Sequence, residues 1–287
     1  MTTSLPEWFV EALNTEPEER QVLVDGCHVA YRAWGDGDGP PVVLVHGGGA
    51  NASWWDHIAP ALAADRRVIA VDLSGHGDSG RRDAYDLRLW ADEVLAASDD
   101  ANLVSPVAVG HSLGGLVALD MATRDVVPAL TIVVDSAITD AARREWLWMR
   151  RITAKPVVHY TDRNQLLERF TPTPPDAANR PYIVEHIAAR SITLATEGWR
   201  WKLDPGIFAR PVSDALDLAR VQGRVVVLQA ERGTARTPFS KAELEILGPD
   251  ATVAVVPDSG HHVMVDQPEA LIDLVRQHVS AYDAARF

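Results

Sequence analysis

Apolar strand-like segments alternate with helical segments from Pro41 to about Ser136, and this alternation limits the fold more than any other feature of the chain. Each strand-like segment is a continuous apolar run, which is typical of a strand covered on both faces. The alternation therefore predicts an α/β fold, a mostly parallel sheet flanked by helices. The strand segments are PVVLVHG, RRVIAVD, PVAVG and ALTIVVDSA, and the helical segments are SWWDHIAPALA, LRLWADEVLAAS and SLGGLVALDMATR.

The alternation is interrupted between about residues 136 and 222 and resumes at Gly223. The interrupting stretch is rich in Trp, Arg and Pro, and segments such as NQLLERF and PYIVEHIAARSITLA have helical patterns. After it, RVVVLQA and TVAVVPDSGHH predict two more strands, and the chain ends in a helix. We therefore predict a core made of residues 1–135 and 223–287, with a helical cap formed by residues 136–222.

Composition narrows the possible partners and the location. The formal net charge is −13, and a surface this acidic repels phosphate backbones and anionic lipids, so nucleic acid and membranes are not expected partners. Cys27 is the single cysteine, which excludes an intramolecular disulfide. Because the first residues lack the pattern of a secretion signal and no apolar run could span a bilayer, we expect a cytoplasmic protein.

The segment from Gly110 to Gly114 reads Gly-His-Ser-Leu-Gly and lies between an apolar strand and a helix. A serine at a sharp strand-to-helix turn presents its hydroxyl above the sheet, and small neighbours permit the turn. We predict that Ser112 is a nucleophile. The helix that follows directs its first amides, beginning with that of Leu113, at the place where negative charge would develop.

A second motif, His46-Gly47-Gly48-Gly49, follows the PVVLV strand. A glycine-rich loop at this place allows backbone amides to approach a substrate oxygen, so the amides of Gly48 and Leu113 are predicted to form an oxyanion hole. His46 is interpreted as structural. A phosphate-binding loop is the alternative, but the Lys-Ser/Thr pair that should follow it is absent.

The third motif is Gly260-His261-His262, after the last predicted strand. A histidine there can reach a serine above the same sheet edge and accept its proton, and we predict that His261 is this base, with His262 as a packing neighbour. A metal site is not expected, because adjacent side chains diverge and no third ligand is evident. No feature indicates a nucleotide, flavin or other cofactor.

Taken together, HGGG at His46, DLSGHGDS at Asp72, GHSLGG at Gly110 and DSGHHVMVDQPE at Asp258 resemble the α/β-hydrolase family from about Gln21 to the last helix. The resemblance implies an eight-stranded sheet with a lid inserted after the sixth strand. It also implies that Asp72 and the loop after it are structural.

The acid that would orient His261 is ambiguous. Members of this family usually carry it after the seventh strand, at a position that is Gly233 here, while Glu231 lies two residues earlier. A minority carry it after the sixth strand, where this chain has Asp135. We favour Asp135 because Gly233 has no side chain, and Glu231 remains the alternative.

Several tryptophans are candidates for substrate binding. Trp54 follows the glycine loop, and Trp148 and Trp199 lie in the predicted cap, where they would form an aromatic wall for an apolar or aromatic group. Packing between lid and core explains the same residues equally well.

These features predict a serine hydrolase that cleaves small carboxylic esters, lactones or related acyl compounds through an acyl-enzyme, without a cofactor. A serine at position 112 argues against relatives with a carboxylate nucleophile, such as haloalkane dehalogenases. Two alternatives remain open: a C–C hydrolase of the meta-cleavage type, and a ligand receptor on a hydrolase scaffold. The oligomeric state is not predicted.

Overall fold

The structure is a computed structural model of the 287-residue chain, and it describes residues 4–138, 157–175, 180–208, 216–233 and 241–284. In these ranges the helices are α1 (Glu7–Asn14), α2 (Ala59–Leu62), α3 (Leu87–Asp100), α4 (Leu113–Met121), α5 (Arg163–Leu167), α6 (Pro181–Arg190), α7 (Lys241–Ile246), α8 (Val263–Asp266) and α9 (Pro268–Ala284). The strands are β1 (Glu18–Val24), β2 (Cys27–Val45), β3 (Arg66–Val71), β4 (Val107–His111), β5 (Leu130–Val134), β6 (Ile192–Ala195), β7 (Gly198–Trp201), β8 (Val225–Arg232) and β9 (Thr252–Gly260).

The main sheet has the order β1-β2-β4-β5-β8-β9, and β3 pairs with β2. Strand β1 is antiparallel to β2, and the first half of β2 runs opposite to β3, since Tyr31 pairs with Val71 and Trp34 with Val68. The second half of β2 and the other pairs of the main sheet are parallel. Because parallel strands end at the same edge of a sheet, the loops after β2, β4, β5 and β9 start side by side. All four loops carry predicted site residues, so this edge is where the site forms.

Strand β2 is long because it bends and pairs with β3 twice. Tyr31 in its first half and Val45 in its second half both pair with Val71, so the two halves lie on opposite sides of β3. The bend contains Gly35, whose φ of 68° lies in the left-handed region that glycine adopts without strain. When the two halves of β2 are counted separately, the described residues form the eight predicted strands of this sheet, and β5 is the sixth of them along the chain.

Apolar layers cover both faces of the sheet. Along β2, Val42 and Leu44 pack into one layer and Val43 and Val45 into the other, as the two-residue period of a strand requires. The first layer includes α2 and α9, and the second includes α3 and α4. The doubly buried strands confirm the interpretation of their continuous apolar runs.

The cap prediction needs one correction. PYIVEHIAARSITLA was predicted to be helical throughout, but helix α6 ends at Arg190, and β6 pairs with β7 as an antiparallel hairpin. The β-branched residues Ile192 and Thr193 favour a strand, and Gly198, with a φ of 127°, follows the turn. The described part of the predicted cap is therefore a mixture of helix and hairpin.

Helix α6 packs directly on the core. Its side chains Ile183 and Ile187 are fully buried in the same layer as Trp55. His186 contacts Asp56 at 2.8 Å, and the Asn51 side-chain amide donates to Ser191 Oγ at 2.9 Å. These contacts connect this helix to the segment that follows the glycine loop.

Among the helices in the described ranges, none combines the length and the apolar character required to cross a bilayer.

Candidate active site

Ser112 stands between the end of β4 and the start of α4 in a strained backbone conformation. Its φ is 52° and its ψ is −116°, in a region that residues other than glycine rarely adopt. The surrounding packing maintains this strain: the Ser112 amide donates to Val134 O at 3.0 Å, and Ser136 Oγ donates to Ser112 O at 2.8 Å. The turn thus directs residue 112 out of the sheet, as the motif predicts.

The glycines on either side of Ser112 are required by close approach of the backbone. A Cβ atom at Gly110 would lie 2.1 Å from the carbonyl oxygen of Gly114, and one at Gly114 would lie 2.3 Å from that of Val45. Both contacts are far below van der Waals distance, so no larger residue fits at either position without moving the backbone.

His261 and Asp135 meet at the same sheet edge. Nδ1 of His261 lies 2.7 Å from Oδ2 of Asp135, and both side chains are almost completely buried. The amide of Ala230 donates to the other carboxylate oxygen of Asp135 at 3.1 Å. A carboxylate accepts the proton at Nδ1, so the neutral imidazole carries its lone pair on Nε2, as a base for a serine hydroxyl requires.

The alternative acid, Glu231, lies elsewhere. Its side chain is 52% exposed, and Oε2 accepts the amide N–H of Asp258 at 2.8 Å. Glu231 therefore supports the solvent-exposed side of the loop that leads to His261, whereas Asp135 contacts the imidazole itself. The geometry favours Asp135 for the orienting role.

His46 fixes the direction of the glycine loop. Its Nε2 accepts the amide N–H of Leu73 at 3.2 Å, so its proton is on Nδ1, which donates to Gly47 O at 2.8 Å. Burial lowers the pKa of His46 to about 4, which keeps this tautomer neutral. In a trans peptide the N–H opposes the C=O, so holding Gly47 O also sets the direction of the Gly48 N–H.

The second predicted donor is the amide of Leu113, the first residue of α4. The first amides of a helix have no acceptor within the helix, so they are available to another oxygen. Gly48 and Leu113 both line a cavity that also contains Ser112 and His261. The structure thus brings the predicted nucleophile, base and oxyanion donors to one site.

Two further histidines, for which the sequence predicts no chemical role, border this site. Nε2 of His111 donates to His261 O at 2.9 Å, and Nε2 of His262 donates to Pro174 O at 3.1 Å. Burial lowers the pKa of His262 to about 3 and that of His111 well below its usual value. His111 is the variable residue of the Gly-x-Ser-x-Gly motif, and nothing in its sequence context distinguishes it.

The cavity has a volume of about 320 Å³, at the small end of the range for ligand pockets. Predicted cap segments form part of its wall, including Phe170 and Trp201, whose ring centres lie 5.7 Å apart. Leu116 and Leu203 add apolar surface, and Trp54 packs against His262 at a ring-centre distance of 5.1 Å.

Of the three tryptophans predicted to bind substrate, Trp54 lines the cavity, Trp148 lies outside the described residues, and Trp199 requires correction. Trp199 lies beside the hairpin turn, where its backbone pairs with Tyr160 and its ring contacts the Arg163 guanidinium at 5.9 Å. Trp201, two residues farther from the turn, lines the cavity instead. Which of the two tryptophans reaches the site depends on where the hairpin turn falls along the chain, and the sequence alone does not reveal that position.

Asp72 supports the loops around the site. Its two carboxylate oxygens accept the amides of Ala52 and Asp78 at 2.6 and 2.8 Å. Burial raises its pKa to about 6. These contacts fit the structural interpretation of the loop after β3.

The sequence is similar to those of several known proteins. The chain is 29% identical over 276 residues to the dihydrolipoyllysine-residue acetyltransferase component of the acetoin cleaving system of Pseudomonas putida, covering 91% of this chain and 70% of that protein. It is 29% identical over 300 residues to the esterase Rv0045c of Mycobacterium tuberculosis, covering 96% of each.

The solved structure of E-2-(acetamidomethylene)succinate hydrolase superposes with a TM-score of 0.77 at 20% identity, covering 92% of this chain and all of that one, and this shows a shared fold. The model of the alpha/beta hydrolase family matches residues 42–274, which include the glycine loop, the serine turn and both adjacent histidines. The chain therefore belongs to the alpha/beta hydrolase family.

Proposed function

We propose that this protein is a serine hydrolase that cleaves small carboxylic esters through an acyl-enzyme on Ser112. The observation that carries the proposal is the 2.7 Å contact between His261 Nδ1 and Asp135 Oδ2, beside a cavity lined by both Ser112 and His261. A histidine in this tautomer and a serine on a strained turn are the components that acyl transfer to water needs.

The first half of the reaction forms the acyl-enzyme. Nε2 of His261 takes the proton of the Ser112 hydroxyl as Oγ attacks the ester carbonyl carbon. The carbonyl oxygen becomes an oxyanion, which accepts hydrogen bonds from the amides of Gly48 and Leu113. When the intermediate collapses, the bond to the alcohol oxygen breaks, and that oxygen takes the proton from His261.

The second half repeats these roles with water. His261 deprotonates a water molecule, which attacks the acyl carbon, and the proton returns to Ser112 Oγ when the acid leaves. Asp135 stabilises the imidazolium in both halves, because its carboxylate is fully buried and holds the ring at Nδ1. Burial in a medium of low polarity strengthens this interaction.

The cavity supports a small substrate with an apolar group. Its volume of about 320 Å³ suits a small substrate, and Trp54, Phe170 and Trp201 offer aromatic surface. We propose short-chain or aromatic esters as the substrate class, with lactones as close analogues.

The test is steady-state hydrolysis of p-nitrophenyl acetate and butyrate by the wild type and by Ser112→Ala. We expect sustained turnover in the wild type and a fall of at least about 1,000-fold in the variant. Ser98→Ala is the matched control, because Ser98 is buried and its hydroxyl donates to Val94 O within α3, and it should retain the wild-type rate. Mass spectrometry should find the acetyl group on the peptide that contains Ser112.

The same assay separates the two alternatives. A ligand receptor would react once per chain, so product would stop at one equivalent. A C–C hydrolase of the meta-cleavage type would turn over a vinylogous diketone acid faster than either ester. Equal, negligible ester hydrolysis by wild type and Ser112→Ala would contradict the proposal.

A further inference from the structure

Three buried imidazoles converge beside Ser112. His111, His261 and His262 each have a ring nitrogen within 4.8 Å of one on each of the other two. Their ring centres are separated by 4.7, 5.8 and 5.1 Å. Three imidazoles bound tetrahedrally to one zinc ion, with Zn–N distances of about 2.1 Å, have ring centres about 5 Å apart. The ring centres of the cluster are therefore spaced like those of a three-histidine metal site.

The tautomers of these rings also suit a metal. Oxygen acceptors hold one nitrogen of each ring: His261 O for His111, Asp135 for His261, and Pro174 O for His262. Each acceptor takes the N–H and leaves the lone pair on the other nitrogen. Histidines that bind metals in proteins are held in this way, by a carboxylate or a backbone carbonyl on the far nitrogen.

Two of the remaining nitrogens are buried polar atoms without a partner. Nδ1 of His111 and Nδ1 of His262 have no hydrogen-bond partner among the described residues, although both atoms are buried. An unsatisfied buried acceptor is unfavourable, and coordination to a cation would satisfy both at once.

We propose that His111, His261 and His262 form an inhibitory binding site for a transition-metal dication, with zinc as the representative ion. Imidazole nitrogens select zinc or copper over magnesium and calcium, which prefer oxygen ligands. A metal bound to Nε2 of His261 occupies the lone pair that would accept the serine proton, so binding stops the reaction. The fourth position is left to water. The inhibition rests on the proposed function, whereas the binding does not.

The first experiment measures binding without any substrate. Metal-free protein is titrated with zinc chloride in a calorimeter, and the visible spectrum is recorded with cobalt(II), which absorbs strongly in a tetrahedral site. We expect one ion per chain. His262→Phe keeps an aromatic ring against Trp54 but removes the nitrogen, and His111→Gln removes a second ligand; each should weaken binding at least tenfold.

The second experiment measures inhibition of p-nitrophenyl acetate hydrolysis by zinc, with each variant compared with its own rate in EDTA. The zinc concentration for half inhibition should rise at least tenfold in His262→Phe, and EDTA should restore the wild-type rate. His28→Gln, which changes an exposed histidine, is the control and should behave as the wild type.

The outcomes separate the two proposals. Absence of a one-to-one zinc site in the wild type, or binding to His262→Phe as tight as to the wild type, overturns the metal site whatever the esterase activity. One-to-one binding that weakens in both variants, together with equal ester hydrolysis by wild type and Ser112→Ala, supports the metal site and contradicts the proposed function instead.

Discussion

The carboxylate of Asp135 occupies the space that a side chain at Gly233 would fill. A Cβ atom built at Gly233 lies 2.1 Å from Oδ1 and 2.4 Å from Oδ2 of Asp135. Gly233 is the position where the acid of this family is usually found, and Asp135 follows the neighbouring strand. The two positions therefore supply a carboxylate to the same place beside His261 Nδ1, and a chain can use only one of them.

We predict that the catalytic acid can be moved from position 135 to position 233. Asp135→Asn should lower kcat about 10,000-fold, because an amide can hold His261 in the wrong tautomer. Gly233→Asp alone should be destabilised, because two carboxyl groups would overlap. Asp135→Ala combined with Gly233→Asp should hydrolyse p-nitrophenyl acetate at least tenfold faster than Asp135→Ala alone, since the φ of Gly233 is not left-handed and removal of the Asp135 carboxylate vacates the space that a side chain at position 233 would fill.

Glu231→Gln is the control for this exchange. Glu231 is half exposed and contacts the Asp258 amide, which a glutamine oxygen can also accept, so kcat should change less than twofold. A larger loss in Glu231→Gln than in Asp135→Asn would reverse the assignment of the acid.

His46 should affect catalysis through the Gly48 amide. His46→Ala removes the donor to Gly47 O and frees the loop, so we expect kcat to fall about 10- to 100-fold while KM changes little, since the oxyanion contact forms mainly in the transition state. Steady-state kinetics with p-nitrophenyl butyrate measures this split.

A general loss of packing is the competing explanation, and His57→Ala controls for it. His57 is also fully buried and also bonds a backbone carbonyl, that of Met264 at 2.7 Å, but this carbonyl lies outside the glycine loop. His57→Ala should lower the unfolding midpoint as His46→Ala does while kcat is retained. Equal losses of kcat in the two variants would exclude a positioning role for His46.

The sequence alone predicted the parts of the structure that local patterns determine. The apolar runs of β4 and β5 predicted buried strands, and the glycines around Ser112 predicted the turn, because steric limits on the backbone act between near neighbours. The acid was ambiguous for the opposite reason. Which carboxylate meets His261 depends on how β5, β8 and β9 pair, and that is a tertiary property.

Two features of the fold have no local signal in the sequence, for the same physical reason. Ile192–Ala195 continues the apolar pattern of α6, so a window of sequence could not separate strand from helix until its partner Gly198–Trp201 was located. His111 lies beside His261 and His262, but it is 150 residues away from His261 in sequence and adjacent only in the fold. Contacts between distant segments carry no local signal.

Stability should decrease as the pH falls from 7.5 to 5.5. Burial holds the pKa of His57 at about 4, and a histidine in the unfolded chain titrates near about 6.5, so in this window the unfolded chain binds a proton that the folded chain does not. His46 and His262 act in the same direction. Asp72 opposes them, because its raised pKa of about 6 lets the folded chain bind the extra proton.

Urea unfolding at the two pH values measures this effect. In His57→Gln the loss of unfolding free energy between pH 7.5 and 5.5 should be smaller than in the wild type by about 1 kcal/mol, the contribution of one such histidine. His28→Gln changes an exposed histidine and should show the wild-type loss. An identical loss in His57→Gln and in the wild type would contradict a neutral, buried His57.

The hairpin tryptophans provide a matched pair for the substrate pocket. Trp201 lines the cavity beside Phe170, and Trp199 lies two residues closer to the turn, outside the cavity lining. Trp201→Ala should lower kcat/KM for p-nitrophenyl butyrate about tenfold, since loss of an apolar contact of this size costs about 1–2 kcal/mol. For the acetate, whose acyl group has less apolar surface, the loss should be smaller. Trp199→Ala should leave kcat/KM for both esters within twofold of the wild type. If the preference for butyrate fell equally in both variants, the hairpin would act through its fold and not through the Trp201 ring.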